Sequence, residues 1–261
     1  MTSLATHQAS EFVKLIFIGN SGAGKTGALT SLVSAGYNLR IIDLDNGLDA
    51  LYNHVEHECP ERLSSVDFET ISDAFKTNKL GQVVIDGRPT AFTRACRLID
   101  RWADGSVPAE WGGDKVLVID SLTALSKYCF HWTKRNKPDL KQNRHWIGVA
   151  QECIMDLLYS LTSAEFRTNV IIISHIDKRD DEAFVSSIGK AIGPKIPHRF
   201  NTLIASRVVG QGKNVRRTIH TVPTAMLDLK NPAPFRMGSD PYPIETGLSS
   251  IFSVLKGKTN A

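Results

Sequence analysis

At 261 residues, 42% of them hydrophobic and 22% charged, the chain can bury one large core, and its formal net charge of +4 permits a nucleic-acid partner without demanding one. No run approaches the roughly 20 apolar residues of a membrane span, and the opening MTSLATHQAS has neither a basic nor an apolar segment, so neither a membrane span nor a secretory leader is expected and the cytoplasm is the expected location. Cys59, Cys96, Cys129 and Cys153 stand far apart, in no CxxC or zinc-type spacing, as expected of reduced thiols used for packing.

The first predicted element is a strand over residues 12–18 (FVKLIFI), a nearly continuous apolar run of the kind buried on both faces. GNSGAGKT, residues 19–26, follows at once and fits G-x-x-x-x-G-K-[ST], between that strand and a helix predicted over TGALTSLVSAG. Its glycines let the backbone curl until N–H groups converge on phosphate oxygens, and the start of the next helix adds partial positive charge. Gly19, Asn20, Ser21, Gly22, Ala23, Gly24, Lys25, Thr26 and Gly27 are therefore the candidate phosphate-binding residues. Lys25 would reach the β- and γ-phosphates, and the Thr26 hydroxyl would hold Mg²⁺.

A second strand is predicted over residues 39–45 (LRIIDLD). HVEHEC, residues 54–59, reads as one acidic helix face and needs no metal. In QVVIDG the apolar run is short and Asp86-Gly87 is a hairpin-turn signal, so Asp86 reads as structural. After a helix over AFTRACRLIDRWADG comes the strand of residues 115–120 (KVLVID), whose last residue, Asp120, lies where a carboxylate for the metal is wanted.

The polar run that follows contains NKPD, residues 136–139, which matches the guanine-reading N-K-x-D of GTPases. It closes no buried strand, and no DxxG accompanies Asp120, which discounts GTP, although no residue positively identifies adenine. A helix over WIGVAQECIMDLLYSLTSAEF and strands over residues 169–174 and 202–209 complete the alternation. Strand and helix in turn predict an α/β fold with a mostly parallel central sheet flanked by helices. The expected organisation is a short segment 1–11, a core 12–222 and an arm 223–261. Pro223, Pro232, Pro234, Pro241 and Pro243 make that arm extended, so that it wraps the core or reaches a neighbour, before a short amphipathic LSSIFSVLKG.

GNSGAGKT, IIDLDNGLDAL, VLVIDSLTAL and VIIISHID, in this order within residues 12–221, resemble the ATPase core of the RecA-family recombinases. The likeness is closest to the short core-only RecA-like ATPases of bacteriophages that accompany recombination and single-strand annealing. The resemblance implies a RecA-like P-loop NTPase fold and an ATP hydrolase using Mg²⁺. It implies that the acid ending the second strand, here Asp45 where recombinases usually carry Glu, orients the attacking water, with Asp43 as the fallback one pleat away. It also implies a γ-phosphate sensor at His175, beside Ser174.

RecA-like cores grip single-stranded DNA with two loops, after the third and fourth strands of this count. The first falls in residues 130–146, with Lys134, Arg135, Lys137, Lys141 and Arg144 against one acid, Asp139, bracketed by Trp132 and Trp146. Two readings stand: cations that track phosphates with aromatic faces that stack bases, or a solvated loop whose tryptophans anchor helix ends. The second loop, residues 177–197, is expected to be mobile and offers Lys190 and Lys195. GQGKNVRRTIH supplies Lys213, Arg216 and Arg217, either as a finger completing a neighbour's site or as a plain basic hairpin.

The implied partners are single-stranded DNA, further copies of the chain, and a single-strand-binding or annealing protein, in the host-cell cytoplasm if phage-encoded. About ten residues precede the first strand, which argues for a ring, a short assembly or assembly on DNA over long filaments. The alternatives are an ATP-dependent regulatory switch with a protein partner docked on residues 130–146, and a helicase motor.

Overall fold

The computed structural model describes residues 11–179, 182–210, 212–237 and 240–257, apart from the Lys213 side chain. Its strands form where Ile, Val and Leu follow one another with no polar face to offer water. In β1 (Lys14–Ile18) and, later in the chain, the strand Thr168–Ser174, every residue is buried. Such runs are stable only with helices on both sides.

A single-turn 3₁₀ segment and the five-residue α1 (Thr30–Ser34) follow β1, a shorter helix than TGALTSLVSAG suggested. Then come β2 (Asn38–Asp43), α2 (Asp49–Glu58), β3 (Val66–Thr70), a hairpin of β4 (Phe75–Thr77) and β5 (Val83–Ile85), and α3 (Ala91–Asp100). β6 (Gly112–Asp120) leads into α4 (Leu122–Asn136) and α5 (Asn143–Thr162), and β7 is the strand Thr168–Ser174. A second hairpin, β8 (Ile176–Arg179) with β9 (Glu182–Val185), precedes β10 (Thr202–Val209), β11 (Arg216–His220), β12 (Tyr242–Pro243) and α6 (Gly247–Leu255).

The main sheet has the order β12-β11-β10-β1-β7-β6-β2-β3. The six strands from β10 to β3 are parallel, while β11 and β12 add an antiparallel edge. This is the expected α/β fold, a mostly parallel sheet between helices. Alternation along β1 sends Leu15 and Phe17 to the face covered by α1, α2 and α6, and Ile16 and Ile18 to the face covered by α3, α4 and α5.

Several expectations change. β2 ends at Asp43 instead of Asp45. The turn of the β4–β5 hairpin falls between Thr77 and Val83, where Asn78 Oδ1 accepts from Leu80 N and Gln82 N, so Asp86-Gly87 is not the turn. Asp86 instead follows β5 and pairs with Lys76 at 2.7 Å. Residues 130–146 are mostly helical, the end of α4 and the start of α5, with only a short connection between. The second loop begins as the β8–β9 hairpin. The arm takes the first of its two expected courses: Leu227, Tyr242, Leu248 and Phe252 are buried on their own core, and Tyr37 meets Phe252 edge-on at 5.5 Å. No helix among the described residues is long and apolar enough to cross a membrane.

Candidate nucleotide site and the basic surface beside it

The loop after β1 curls where a side chain would stop it. Gly22 and Gly24 have φ of 74° and 87°, which L-residues rarely adopt. A Cβ at Gly19 would lie 2.2 Å from Ser206 Oγ on β10, so only glycine lets the loop leave the sheet at that point. Lys25, buried, donates from Nζ to the carbonyls of Gly19 (2.9 Å) and Asn20 (3.0 Å) across the mouth of the loop. Burial lowers its pKa, opposed by the charges of Asp120 and Asp45.

Strand order sets β7 between β1 and β6, so the end of β6 lies two strands away from the loop. Thr26 spans that gap: its Oγ1 donates to Asp120 Oδ2 at 2.7 Å. Burial pushes the Asp120 carboxyl up to about 6, against the pull of the Thr26 hydrogen bond and the Lys25 charge. These groups line a cleft of about 580 Å³ together with Gly22, Gly24, Asp45 and His175.

Asp43 and Asp45 divide by position. Asp43 is buried, and its carboxylate accepts from Gly47 N (3.3 Å) and Thr70 Oγ1 (3.0 Å), tying the turn into α2 to β3. It is engaged there and does not line the cleft. Asp45, past the end of the strand, does line it, with Oδ2 3.8 Å from His175 Nε2. Burial lowers the His175 pKa, as does the Lys25 charge, while Asp45 opposes both.

His175 is held by its backbone. Its N–H donates to Thr123 Oγ1 (3.1 Å), and its carbonyl accepts from Ser186 N (2.9 Å), just after β9. Ser174 Oγ donates to Ser186 O at 2.9 Å. Thr123 stands within VLVIDSLTAL, and its only signal in the sequence is a hydroxyl three residues after Asp120.

Arg217 reaches the same cleft. The β10–β11 hairpin brings it to the phosphate loop of its own chain, where Nε donates to Gly22 O at 3.0 Å and the side chain lines the cleft. A Cβ at Gly24 would lie 2.9 Å from Arg217 Cδ. The arm adds Ile244 and Glu245 beside it, and α2 adds His54 and Glu58 on the other flank. None of these was legible locally, because distant segments bring them together. Arg216, one residue away on β11, faces the opposite side of the strand and is exposed. The side chain of Lys213 lies outside the described residues.

NKPD sits at the end of α4 and lines no part of the cleft. Asn136 there donates to Trp132 O (2.8 Å) and accepts from Arg88 (3.2 Å). The tryptophans of this region hold helices. Trp132 packs on Phe92 with ring centroids 5.6 Å apart, and Trp146 Nε1 donates to Lys137 O at 2.8 Å under the Lys134 ammonium. Lys134, Arg135, Lys137, Lys141 and Arg144 are all exposed and close in sequence around one helix-to-helix turn. Lys190 and Lys195 are exposed too, and Gln151 of α5 donates to Ile188 O (2.9 Å), joining the second segment to the helix that leaves the first.

A family model described as an AAA domain matches residues 11–233. No curated protein matches the chain. Among solved structures, a KaiC-like protein from the hyperthermophilic archaeon Pyrococcus horikoshii OT3 is similar at 14% identity and a TM-score of 0.42, covering 80% of this chain and 78% of that one. The RadB recombinase is similar at 15% identity and a TM-score of 0.43, covering 80% and 79%.

Proposed function

The chain belongs to the AAA domain family, and we propose that it is a Mg²⁺-dependent ATP hydrolase stimulated by single-stranded DNA. On this reading it acts in recombination or single-strand annealing, like the core-only bacteriophage ATPases it resembles, and works as a homo-oligomer. The observation that carries the nucleotide half is the 2.7 Å contact of Thr26 Oγ1 with Asp120 Oδ2 beside the buried Lys25 ammonium. A hydroxyl and a carboxylate meeting there are the hard oxygen donors that suit Mg²⁺. When bound, the ion neutralises charge on the β- and γ-phosphates.

The chain's own groups do the rest. Lys25 exchanges the carbonyls of Gly19 and Asn20 for phosphate oxygens. Asp45 orients a water and takes its proton; being one methylene shorter than Glu, it holds that water closer. His175 donates a hydrogen bond to a γ-phosphate oxygen and relaxes when that oxygen leaves. Because its carbonyl is bonded to Ser186 N, movement of His175 reaches the segment bearing Lys190. Gln151 extends that path to α5 and the basic turn.

ATP turnover measured with and without an oligo-dT strand, in the presence of Mg²⁺, tests the reading. Turnover should rise with the strand, and binding should weaken with salt at a log–log slope of about −0.7 per phosphate neutralised. Replacing Lys134, Arg135 and Lys137 together by Ala should remove strand binding and leave ATP binding intact. Turnover indifferent to DNA, with no complex at low salt, would overturn the DNA half and favour a switch with a protein partner.

A further inference from the structure

Trp132 and Trp146 are half-buried and engaged with the helices, which limits the aromatic face that the basic turn offers unpaired bases. The β4–β5 hairpin supplies one. Pairing of Phe75 with Ile85 and of Thr77 with Val83 puts these four on one face. That face looks toward α4, because the Phe75 ring meets the His131 ring at 6.3 Å, edge to face. Phe75 is nevertheless 48% exposed and Val83 72% exposed. Arg88, just after the hairpin, bonds Asn136 at the end of α4 and fixes the spacing of the two elements.

The opposite wall is cationic. Lys127, His131 and Lys134 recur at i, i+4 and i+7 along α4, one helical face. Lys127 and Lys134 are both exposed, and both lower the pKa of His131 between them, behind the larger effect of its burial. His131 Nδ1 is buried without a partner, between the rings of Phe75 and Phe130. Of the nearby acids, Asp86 pairs with Lys76, while Asp73 accepts the backbone N–H groups that start α3 through Oδ1, keeps Oδ2 buried without a partner, and opposes the two lysines at His131.

We propose that the Phe75 face of the hairpin and the Lys127–Lys134 face of α4 are the two walls of a groove for single-stranded nucleic acid, with bases stacked on Phe75 and phosphates held by the two lysines. An apolar aromatic wall opposite a row of ammonium groups matches a strand that carries flat bases on one side and charge on the other. This rests on the DNA reading given above and adds to it a binding element outside both loops that the resemblance implied.

The test is binding of fluorescein-labelled oligo-dT by anisotropy, with ATP and Mg²⁺ present, for wild type, Phe75→Ala, Phe75→Leu, Phe75→Trp and Lys127→Ala. Phe75→Ala and Phe75→Leu should both weaken binding about tenfold, since each removes the stacking face, with an unchanged salt slope. Phe75→Trp should keep the affinity, and its indole fluorescence should be quenched by the strand. Lys127→Ala should lower the salt slope by about 0.7. A blunt duplex should bind equally to wild type and Phe75→Ala, because paired bases offer no free face.

If Phe75→Ala and Phe75→Leu bind oligo-dT like wild type while the Lys134, Arg135 and Lys137 triple variant loses it, the hairpin is no wall and the DNA reading stands. If Phe75→Leu matches wild type and only Phe75→Ala is weak, stacking is refuted in favour of simple apolar support. If wild type itself forms no complex at low salt, the groove and the DNA reading fall together.

Discussion

The nucleotide cleft and the cationic flank are built by opposite means. In the cleft, Lys25 and Asp120 are buried and each has its partner at hydrogen-bond distance, so position is enforced by the ends of β1 and β6. On the flank, the cations of α4, the turn and α5 stand exposed, and helix packing fixes only where their stems begin. Buried polar groups act all or none, because a lost partner leaves an unsatisfied charge, whereas solvated charges act in small increments. Substitution in the two regions should therefore differ in kind as well as in size.

The sharpest break is expected at Lys25. Lys25→Ala should reduce ATP turnover by at least about a hundredfold, and equilibrium dialysis should show nucleotide binding lost with it. Asp45→Ala should lower kcat by a similar factor, about 10²–10⁴, yet leave that binding in place, so the pair separates holding the phosphates from attacking them. Were Asp45→Ala to lose binding as well, the division of labour between strand-end acids would be wrong.

Next in size is the pH response of Asp120. Its carboxyl titrates at about 6 in the fold against 3.8 ordinarily, so between these values the native state holds a proton that the unfolded chain has released. Stability of the nucleotide-free protein should fall as pH rises through that window, and Asp120→Asn should flatten this part of the Tm profile. Mg²⁺–nucleotide affinity should run the other way, rising across pH 6 as the carboxylate ionises. A flank built of solvated cations predicts no such crossing curves.

The smallest effect tests Arg217. Since it touches Gly22 of its own chain through a solvent-exposed hydrogen bond, Arg217→Ala should weaken nucleotide binding a few-fold, about 1 kcal/mol. Mixing it with Lys25→Ala subunits should restore nothing. Recovered turnover in the mixture would mean that the arginine serves a neighbour after all.

Legibility in the sequence followed the same divide. The curled loop after β1 was readable because Gly22 and Gly24 meet a backbone demand that few residues satisfy, and the place of Asp120 because it closes the apolar run VLVI. The helices over residues 130–146 were not, since HWTKRNKPDLKQNRH is polar on nearly every side and only contacts such as Trp132 on Phe92 give it a buried stripe. β3 was missed because three of its five residues are exposed, which leaves little apolar pattern for a parallel edge strand. Arg217 and Glu245 reach the cleft through an antiparallel edge assembled from segments more than twenty residues apart, a pairing that no local pattern encodes.

The helix α6 has a practical consequence. Family likeness stops at residue 233, yet Leu248, Ile251 and Phe252 lie beyond it and are fully shielded from water against the layer that includes α1. Trimming the protein to its recognised borders would strip the cover from Leu32 and Val33 and take Ile244 away from the phosphate pocket. The fragment would be sticky and poorly folded, although every signature motif was still in it.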